Sequence, residues 1–332
     1  MSHQLHFFTK NKSGGILSSV RNILGQPAGS GKNNDDELLR FFGQYLFFNK
    51  PDITPDGFDI GYLNPDTGSQ FFFNLHRSDI PEFEKEHRFP GYSFNGLVFT
   101  VNYNRPLTFM TEALSIIMKL AKTFDLFILD DGDPSPNPVP KPFDATMLIL
   151  DYAHSNVVST NNMLKGHSRD TKFLVGPDPS AYLPSEKAQD WWTYMNRKRA
   201  IATIFERDGV DLFVPELWVF RKKGVETLFT VMAFGEDVPY LLPPCDLFYV
   251  QRKKDLSECG MVPASEMMRV LEPYLGEATV FDMKFRVLPV KDAERFAETL
   301  QTIPLDTDLE EYTRLAQGNF LDFKPEFGDP AK

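Results

Sequence analysis

Hydrophobic and polar positions follow two different periods along the chain, and these periods predict strands and helices in alternation. Between residues 97 and 103 apolar side chains occupy every second position, as in a strand with one buried face. From 108 to 123 they recur every three or four residues, which is the spacing of an amphipathic helix. The uninterrupted apolar run from 126 to 129 predicts a strand covered on both faces. Strand, helix and strand are therefore expected to follow one another in this part of the chain.

The same order of elements is expected in both halves of the chain. Each half is predicted to run strand, helix, three strands, helix, strand and helix, and the second half starts with a strand at Lys172–Val175 and a helix at Ser185–Arg207. An amphipathic helix needs a sheet face to cover. The order therefore predicts the α+β class, as two tandem, related domains in the ferredoxin-like style, each a mixed or antiparallel sheet covered by helices.

A proline-rich segment marks the expected boundary between the halves. Proline occupies every second position from 134 to 142, which is typical of an extended, stiff connector. Asp144 follows, and its carboxylate can cap a helix that continues to about Leu164. We predict an N-terminal α+β domain at 1–142, a connecting helix at 143–166, a C-terminal α+β domain at 167–304, and a C-terminal helix and tail at 305–332.

Composition and charge exclude several classes of function. With 42% apolar and 24% charged residues the chain is typical of folded proteins. Its net charge of −11 opposes nucleic-acid phosphates and anionic membranes as partners and favours a basic protein. Apolar runs stay well short of the roughly 18 residues of a membrane helix, and Cys245 and Cys259 are expected as reduced thiols. We expect a cytoplasmic protein that needs no cofactor.

Acidic residues on predicted loops and helix starts are the candidate contacts with a basic partner. They are Asp35, Asp36, Asp66, Glu82, Glu84, Glu86, Asp130, Asp131 and Asp133. Blocking another protein requires complementary shape and charge but no chemistry. The leading hypothesis is therefore a soluble, acidic, non-catalytic protein-binding protein, and its concrete form is a bacterial immunity protein that inhibits a toxin.

Two other classes of function stay open. Asp151 and His154 lie three positions apart on a predicted helix, so they can share one face and act as an acid–base pair. Asp130, Asp131 and Asp133 follow a buried strand, where carboxylates can hold a hard cation. Together these groups predict a metal-dependent or acid–base hydrolase with its site at the domain junction, although neither has the dense spacing of a known motif. The remaining class is a structural subunit that self-associates.

Overall fold

The computed structural model describes residues 1–11, 30–167, 176–252 and 258–327. The chain divides into two compact units, unit 1 with Met1–Ser168 and Glu326–Lys332, and unit 2 with Arg169–Pro325. Both units combine sheets with helices, which confirms the predicted α+β class. None of the helices among the described residues combines the length and the apolar character that a bilayer-crossing segment requires.

Unit 1 is built on one six-stranded antiparallel sheet. Its strand order is β2-β3-β4-β5-β1-β6, so the first strand of the chain lies between β5 and β6. The predicted period-two strand is part of β5, and the predicted apolar run forms most of β6. The strands are β1 Ser2–Lys10, β2 Asp52–Ile53, β3 Gly57–Leu63, β4 Gln70–His76, β5 Tyr92–Asn102 and β6 Leu126–Asp130.

Helices of unit 1 pack mainly against one face of this sheet. They are α1 Ser30–Phe42, α2 Ile80–Glu86, α3 Thr108–Phe124 and α4 Ala145–Leu164. The apolar stripe predicted for 108–123 is the buried side of α3, which meets Phe7, Phe73 and Phe99 of the sheet in the main core. A smaller cluster around Phe8 and Phe94 covers the opposite face beneath α2. Residues on the face below α3 and α4 therefore lie in the interior of unit 1.

The segment predicted as a linker and the helix predicted to connect the halves both belong to unit 1. Ile128 of β6 and Lys141 exchange backbone hydrogen bonds of 2.7 and 2.8 Å, which tie the end of the proline-rich segment to the sheet. The hydroxyl of Tyr152, on α4, donates a 3.0 Å hydrogen bond to the carbonyl of Asn102. These hydrogen bonds hold β6, which precedes the proline-rich segment, and α4, which follows it, in the same unit. The proline-rich segment is thus a loop that returns to its own sheet.

The described residues of unit 2 form two sheets. The larger has the strand order β11-β10-β8-β7-β14, with β8 and β10 parallel, and the smaller has the order β12-β13-β9. Its strands are β7 Leu217–Lys222, β8 Phe229–Gly235, β9 Tyr240–Leu242, β10 Leu247–Gln251, β11 Cys259–Pro263, β12 Gly276–Val280, β13 Met283–Leu288 and β14 Tyr312–Arg314. Its helices are α5 Ser185–Arg207, α6 Ala264–Leu271 and α7 Val290–Leu300, with short 3-10 turns at Glu272–Tyr274 and Leu309–Glu311.

The two units differ in their order of elements, contrary to the order predicted for the two halves. Among the residues that the structure describes, those of unit 1 form a single antiparallel sheet, whereas those of unit 2 form two sheets and include a parallel pair. The sequence pattern missed β9 and β14 because strands of 3 residues offer too few positions to establish a period of two. It also missed β11 and β12. The strand predicted at Lys172–Val175 lies outside the described residues.

The C-terminal helix predicted within 305–332 is also corrected. In the described part of this segment, up to residue 327, the chain forms only a 3-10 turn and the short strand β14. β14 pairs with the edge of β7, which satisfies its backbone groups in an extended form. Sheet pairing has replaced helix formation here.

Candidate functional site

One cavity in unit 1, called the acidic cavity below, brings together side chains from the end of β6, the loop that follows it and the start of α4. Its volume is about 350 Å³. Its walls are apolar apart from four carboxylates and one ammonium group. The lining residues are Ile128, Asp130, Asp133, Val139, Lys141, Pro142, Phe143, Asp144, Met147, Leu148 and Asp151.

Asp130 forms the buried wall of the acidic cavity. It is the last residue of β6 and is paired in register with Leu5, so its side chain points to the face that the helices cover. The backbone N–H of Gly132 donates a 2.7 Å hydrogen bond to Asp130 Oδ1. Asp130 is only 8% exposed, yet no donor among the described residues reaches its Oδ2 atom. A buried carboxylate oxygen in this state retains its full capacity to accept a hydrogen bond.

His3 supports Asp130 from β1. Its Nε2 atom lies 3.1 Å from Asp130 Oδ1, at ion-pair distance but outside hydrogen-bond geometry, and its side chain is fully buried. The hydroxyl of Tyr103 lies 3.4 Å from His3 Nδ1. A Cβ atom at Gly132 would stand 2.7 Å from the His3 ring, so glycine is needed there for the loop to approach this closely. Sequence reasoning missed His3, whose only signal is a polar residue inside an apolar strand.

Asp133 and Lys141 form an ion pair at the side of the acidic cavity. Lys141 Nζ donates to Asp133 Oδ2 over 2.6 Å, and the backbone N–H of Ser135 donates to Oδ1 over 2.9 Å. These hydrogen bonds lower the pKa of Asp133 to about 2. Asp133 is therefore ionised at neutral pH and already has a cationic partner.

Asp144 uses its carboxylate within the protein. It is the N-cap of α4, and its Oδ1 atom accepts hydrogen bonds from the N–H groups of Thr146 and Met147 over 3.0 and 3.2 Å. This confirms the cap predicted from the sequence and explains why α4 begins at Ala145. A ligand in the acidic cavity therefore meets, at Asp144, a carboxylate whose Oδ1 atom already accepts two hydrogen bonds.

Asp151, on α4, is a carboxylate of the cavity whose negative charge is poorly compensated by its neighbours. Burial, followed by the negative charges of Asp130 and Asp133, raises its pKa, while electrostatic interactions with His3 and Lys141 act in the opposite direction. The ionised form of Asp151 therefore gains less from His3 and Lys141 than it loses through burial and through the neighbouring carboxylates. This corner of the acidic cavity is short of positive charge.

Replacing Asp151 by Asn is expected to stabilise the folded protein at neutral pH. Because the pKa of Asp151 is higher in the folded than in the unfolded chain, the stability linked to this group is lost as the pH rises through the folded pKa. Asn does not ionise, so the advantage of the variant should grow between about pH 4 and pH 7. Urea unfolding of both proteins across this range measures the difference. A constant difference in unfolding free energy would contradict the assignment.

The hydrolase hypothesis placed Asp151 beside His154 and an acidic metal cluster. Asp151 lines the acidic cavity, whereas His154 is exposed on α4 and is not part of the lining. The histidine beside the acidic residues is instead His3, from β1. Within the described ranges, no group of three or more His, Cys, Asp or Glu side chains is arranged to hold a metal ion. Every lining residue belongs to unit 1.

Among the acidic residues chosen from the sequence as partner contacts, only Asp130 and Asp133 line the acidic cavity. Asp131 belongs to the opposite face of the sheet, where its Oδ1 atom lies 3.1 Å from His6 Nε2. Asp66 is buried in the turn between β3 and β4. The nine residues thus occupy several separate places in unit 1.

The remaining candidates lie on or near helices α1 and α2. Asp35 is paired with Arg77, and Asp36 is exposed. Glu82, Glu84 and Glu86 are exposed on α2, close to a groove of about 940 Å³ whose lining includes Glu84. That groove also carries Lys85, His87 and Arg88, so its charge is mixed. The acidic cavity is the more strongly negative of the two concave sites.

Comparisons of the chain with protein-family models, with the curated proteins and with the solved structures each found no match, so its function has to be inferred from the acidic cavity and its surroundings.

Proposed function

We propose that this chain is a non-catalytic protein-binding protein that holds a basic partner protein at the acidic cavity. The proposal is carried by one observation: the carboxylates of the cavity are flanked by exposed apolar side chains. Val139 is 49% exposed, Met147 46% and Leu150 58%. Exposed apolar groups around a charged centre are typical of protein interfaces.

The exposed apolar surface continues along α4. Met147, Leu150 and Val158 are all exposed, and they share one side of the helix with Asp151 and His154, since the positions follow one another at steps of three or four residues. The opposite side of α4 carries Tyr152 and packs into the core. A partner protein can therefore bury apolar surface along α4 while its basic groups reach the carboxylates. The cavity alone would suit a small ligand, but this long face favours a macromolecule.

Acid–base hydrolysis is the second candidate function, and the raised pKa of Asp151 supports it, because a general acid at neutral pH needs such a shift. Hydrolysis also needs a base that reaches the same substrate. His3 and Asp130 are more than nine-tenths buried, and Asp133 is held by Lys141. The arrangement therefore supports binding better than catalysis.

Affinity purification from the source cells, followed by reconstitution with the purified partner, tests the proposal. We expect a basic partner whose Kd rises with ionic strength, because a Debye length near 8 Å at physiological salt screens exposed charges. If the chain is an inhibitor of a toxin, the partner's activity should fall in the complex. An acidic partner, or a Kd independent of salt, would contradict the proposal. Turnover of an ester or peptide that Asp151→Asn abolishes would favour hydrolysis.

The residues that carry this proposal all belong to unit 1. The proposal therefore holds whether or not the two units are related by duplication.

A further inference from the structure

We infer that the acidic cavity receives one arginine side chain of the partner, with its guanidinium group between Asp130 and Asp151. The inference rests on the proposed function and specifies the chemistry by which the partner is recognised. Three observations support it. Asp133 and Asp144 already have partners within the chain, the walls of the cavity are apolar, and the buried Oδ2 atom of Asp130 has no donor among the described residues.

Two of the four carboxylates are engaged within the chain. Asp133 is held by Lys141, and Asp144 caps α4. Asp130 is engaged only at its Oδ1 atom, by the N–H of Gly132 and by His3 Nε2 at 3.1 Å, and Asp151 lines the same cavity. Burial, and after it the negative charge of Asp130, raises the pKa of Asp151. A cation held by both would offset the repulsion between them. The cavity therefore presents a pair of carboxylates to an incoming positive group.

The buried Oδ2 atom of Asp130 points to a ligand that donates a hydrogen bond. Its Oδ1 atom accepts from Gly132, whereas Oδ2 has no donor among the residues that the structure describes. Asp130 is more than nine-tenths buried and lines the cavity, and its Oδ2 atom has almost no exposed surface, so a donor that enters the cavity reaches this atom only with a local movement of the wall. Charge-assisted hydrogen bonds to carboxylates are stronger than bonds between neutral groups.

The apolar walls favour a cation on a long aliphatic stem. Ile128 and Leu148 are buried, and Phe143 is partly buried beside them. The methylene groups of arginine or lysine can pack on such walls while the charged end meets the carboxylates. A simple inorganic cation would leave these walls without contacts.

Arginine suits the site better than lysine for two reasons. The guanidinium is more weakly hydrated than an ammonium group, so less hydration is lost beside the buried Asp130. Its planar set of five N–H donors can serve two carboxylates at once, and its flat face can stack on the ring of Phe143. The chemistry of the lining therefore favours a guanidinium group over an ammonium group.

The test is a titration of the full chain with Nα-acetyl-L-arginine N-methylamide, followed by calorimetry or NMR. The corresponding lysine and citrulline derivatives serve as ligand controls, since citrulline keeps the shape of arginine without its charge. We expect saturable binding of the arginine probe, weaker binding of lysine and none of citrulline. Asp151→Asn should weaken arginine binding at least ~10-fold, the size expected for loss of one charge-assisted contact.

Asp131→Asn is the matched control, because Asp131 is next to Asp130 in sequence but belongs to the other face of the sheet. It should bind arginine as the wild type does. Asp130→Asn should weaken binding like Asp151→Asn, and Asp151→Asn decides the result if Asp130→Asn does not fold. Equal binding of citrulline, an equal loss in Asp131→Asn, or preferential saturation by Mg²⁺ or Ca²⁺ would overturn the inference.

The inference and the proposed function can fail separately. A basic partner bound in a salt-sensitive manner, but equally well by the wild type and by Asp151→Asn, would leave the proposed function standing and remove the arginine site. Specific binding of the arginine probe, with no protein partner recovered, would contradict the proposed function and retain the arginine site.

Discussion

Replacing Glu112 by alanine is expected to lower the free energy of unfolding by about 3 kcal/mol or more. Glu112 lies on α3 and is only 6% exposed. Its Oε1 atom accepts hydrogen bonds of 2.7 Å from the hydroxyl of Tyr62 and from the side-chain amide of Asn64, and its Oε2 atom accepts one of 2.9 Å from the hydroxyl of Thr67. Each buried donor left without an acceptor costs about 1–3 kcal/mol.

This network fixes the turn between β3 and β4 to α3. Burial and the charge of Glu112 raise the pKa of Tyr62, so the phenol keeps its proton and remains a donor. The loss in Glu112→Ala is therefore greater than the loss of one surface charge, because Tyr62, Asn64 and Thr67 all lose the acceptor that Glu112 provides.

Chemical denaturation of three variants tests this account of Glu112. Glu112→Gln keeps the shape and one acceptor oxygen, so it should lose less stability than Glu112→Ala. Glu84→Ala removes an exposed carboxylate from α2 and should change stability by no more than about 0.5 kcal/mol. If Glu112→Ala were as stable as Glu84→Ala, the network would not support unit 1 as described.

In the complex with the partner, Asp151→Asn is expected to raise the Kd about 30-fold, which corresponds to roughly 2 kcal/mol. The partner's cation would then face Asp130 alone, and part of its lost hydration would no longer be offset. Calorimetry or surface plasmon resonance with the purified partner measures this change. Asp131→Asn should leave the Kd unchanged, whereas a loss of the same size in that control would indicate a general effect of charge.

The same substitution should therefore stabilise the free protein and weaken its complex. A carboxylate retained for folding would give the opposite result for stability, since its removal would destabilise the chain. Binding sites commonly keep groups that reduce the stability of the free protein. The combined measurements on Asp151→Asn thus separate a binding role from a structural role.

Local patterns predicted much of unit 1. The helix expected at 108–123 is α3, the strand expected at 126–129 lies within β6, and Asp144 caps α4 as expected. Each of these elements has either a long run of regularly spaced apolar residues or a specific cap residue. The local sequence is therefore enough to predict it. The helix expected at Ser185–Arg207 in unit 2 is confirmed for the same reason.

The acidic cavity depends on contacts that no local pattern contains. His3 reaches Asp130 only because β1 inserts beside β6, and Lys141 returns to Ile128 through a loop whose prolines suggested a linker. Asp151 could be predicted as a candidate, but its neighbours could not. In unit 2, very short strands such as β9 and β14 depend on their pairing partners rather than on their own periodicity.

Hydrogen–deuterium exchange of the free and partner-bound chain tests most directly whether the acidic cavity is the binding surface. We expect slower exchange on binding in the loop 131–144 and in the first turns of α4, with a smaller change on the remaining surface of unit 1. Protection confined to α2 or to unit 2, with unchanged exchange around Asp130 and Asp151, would contradict the account.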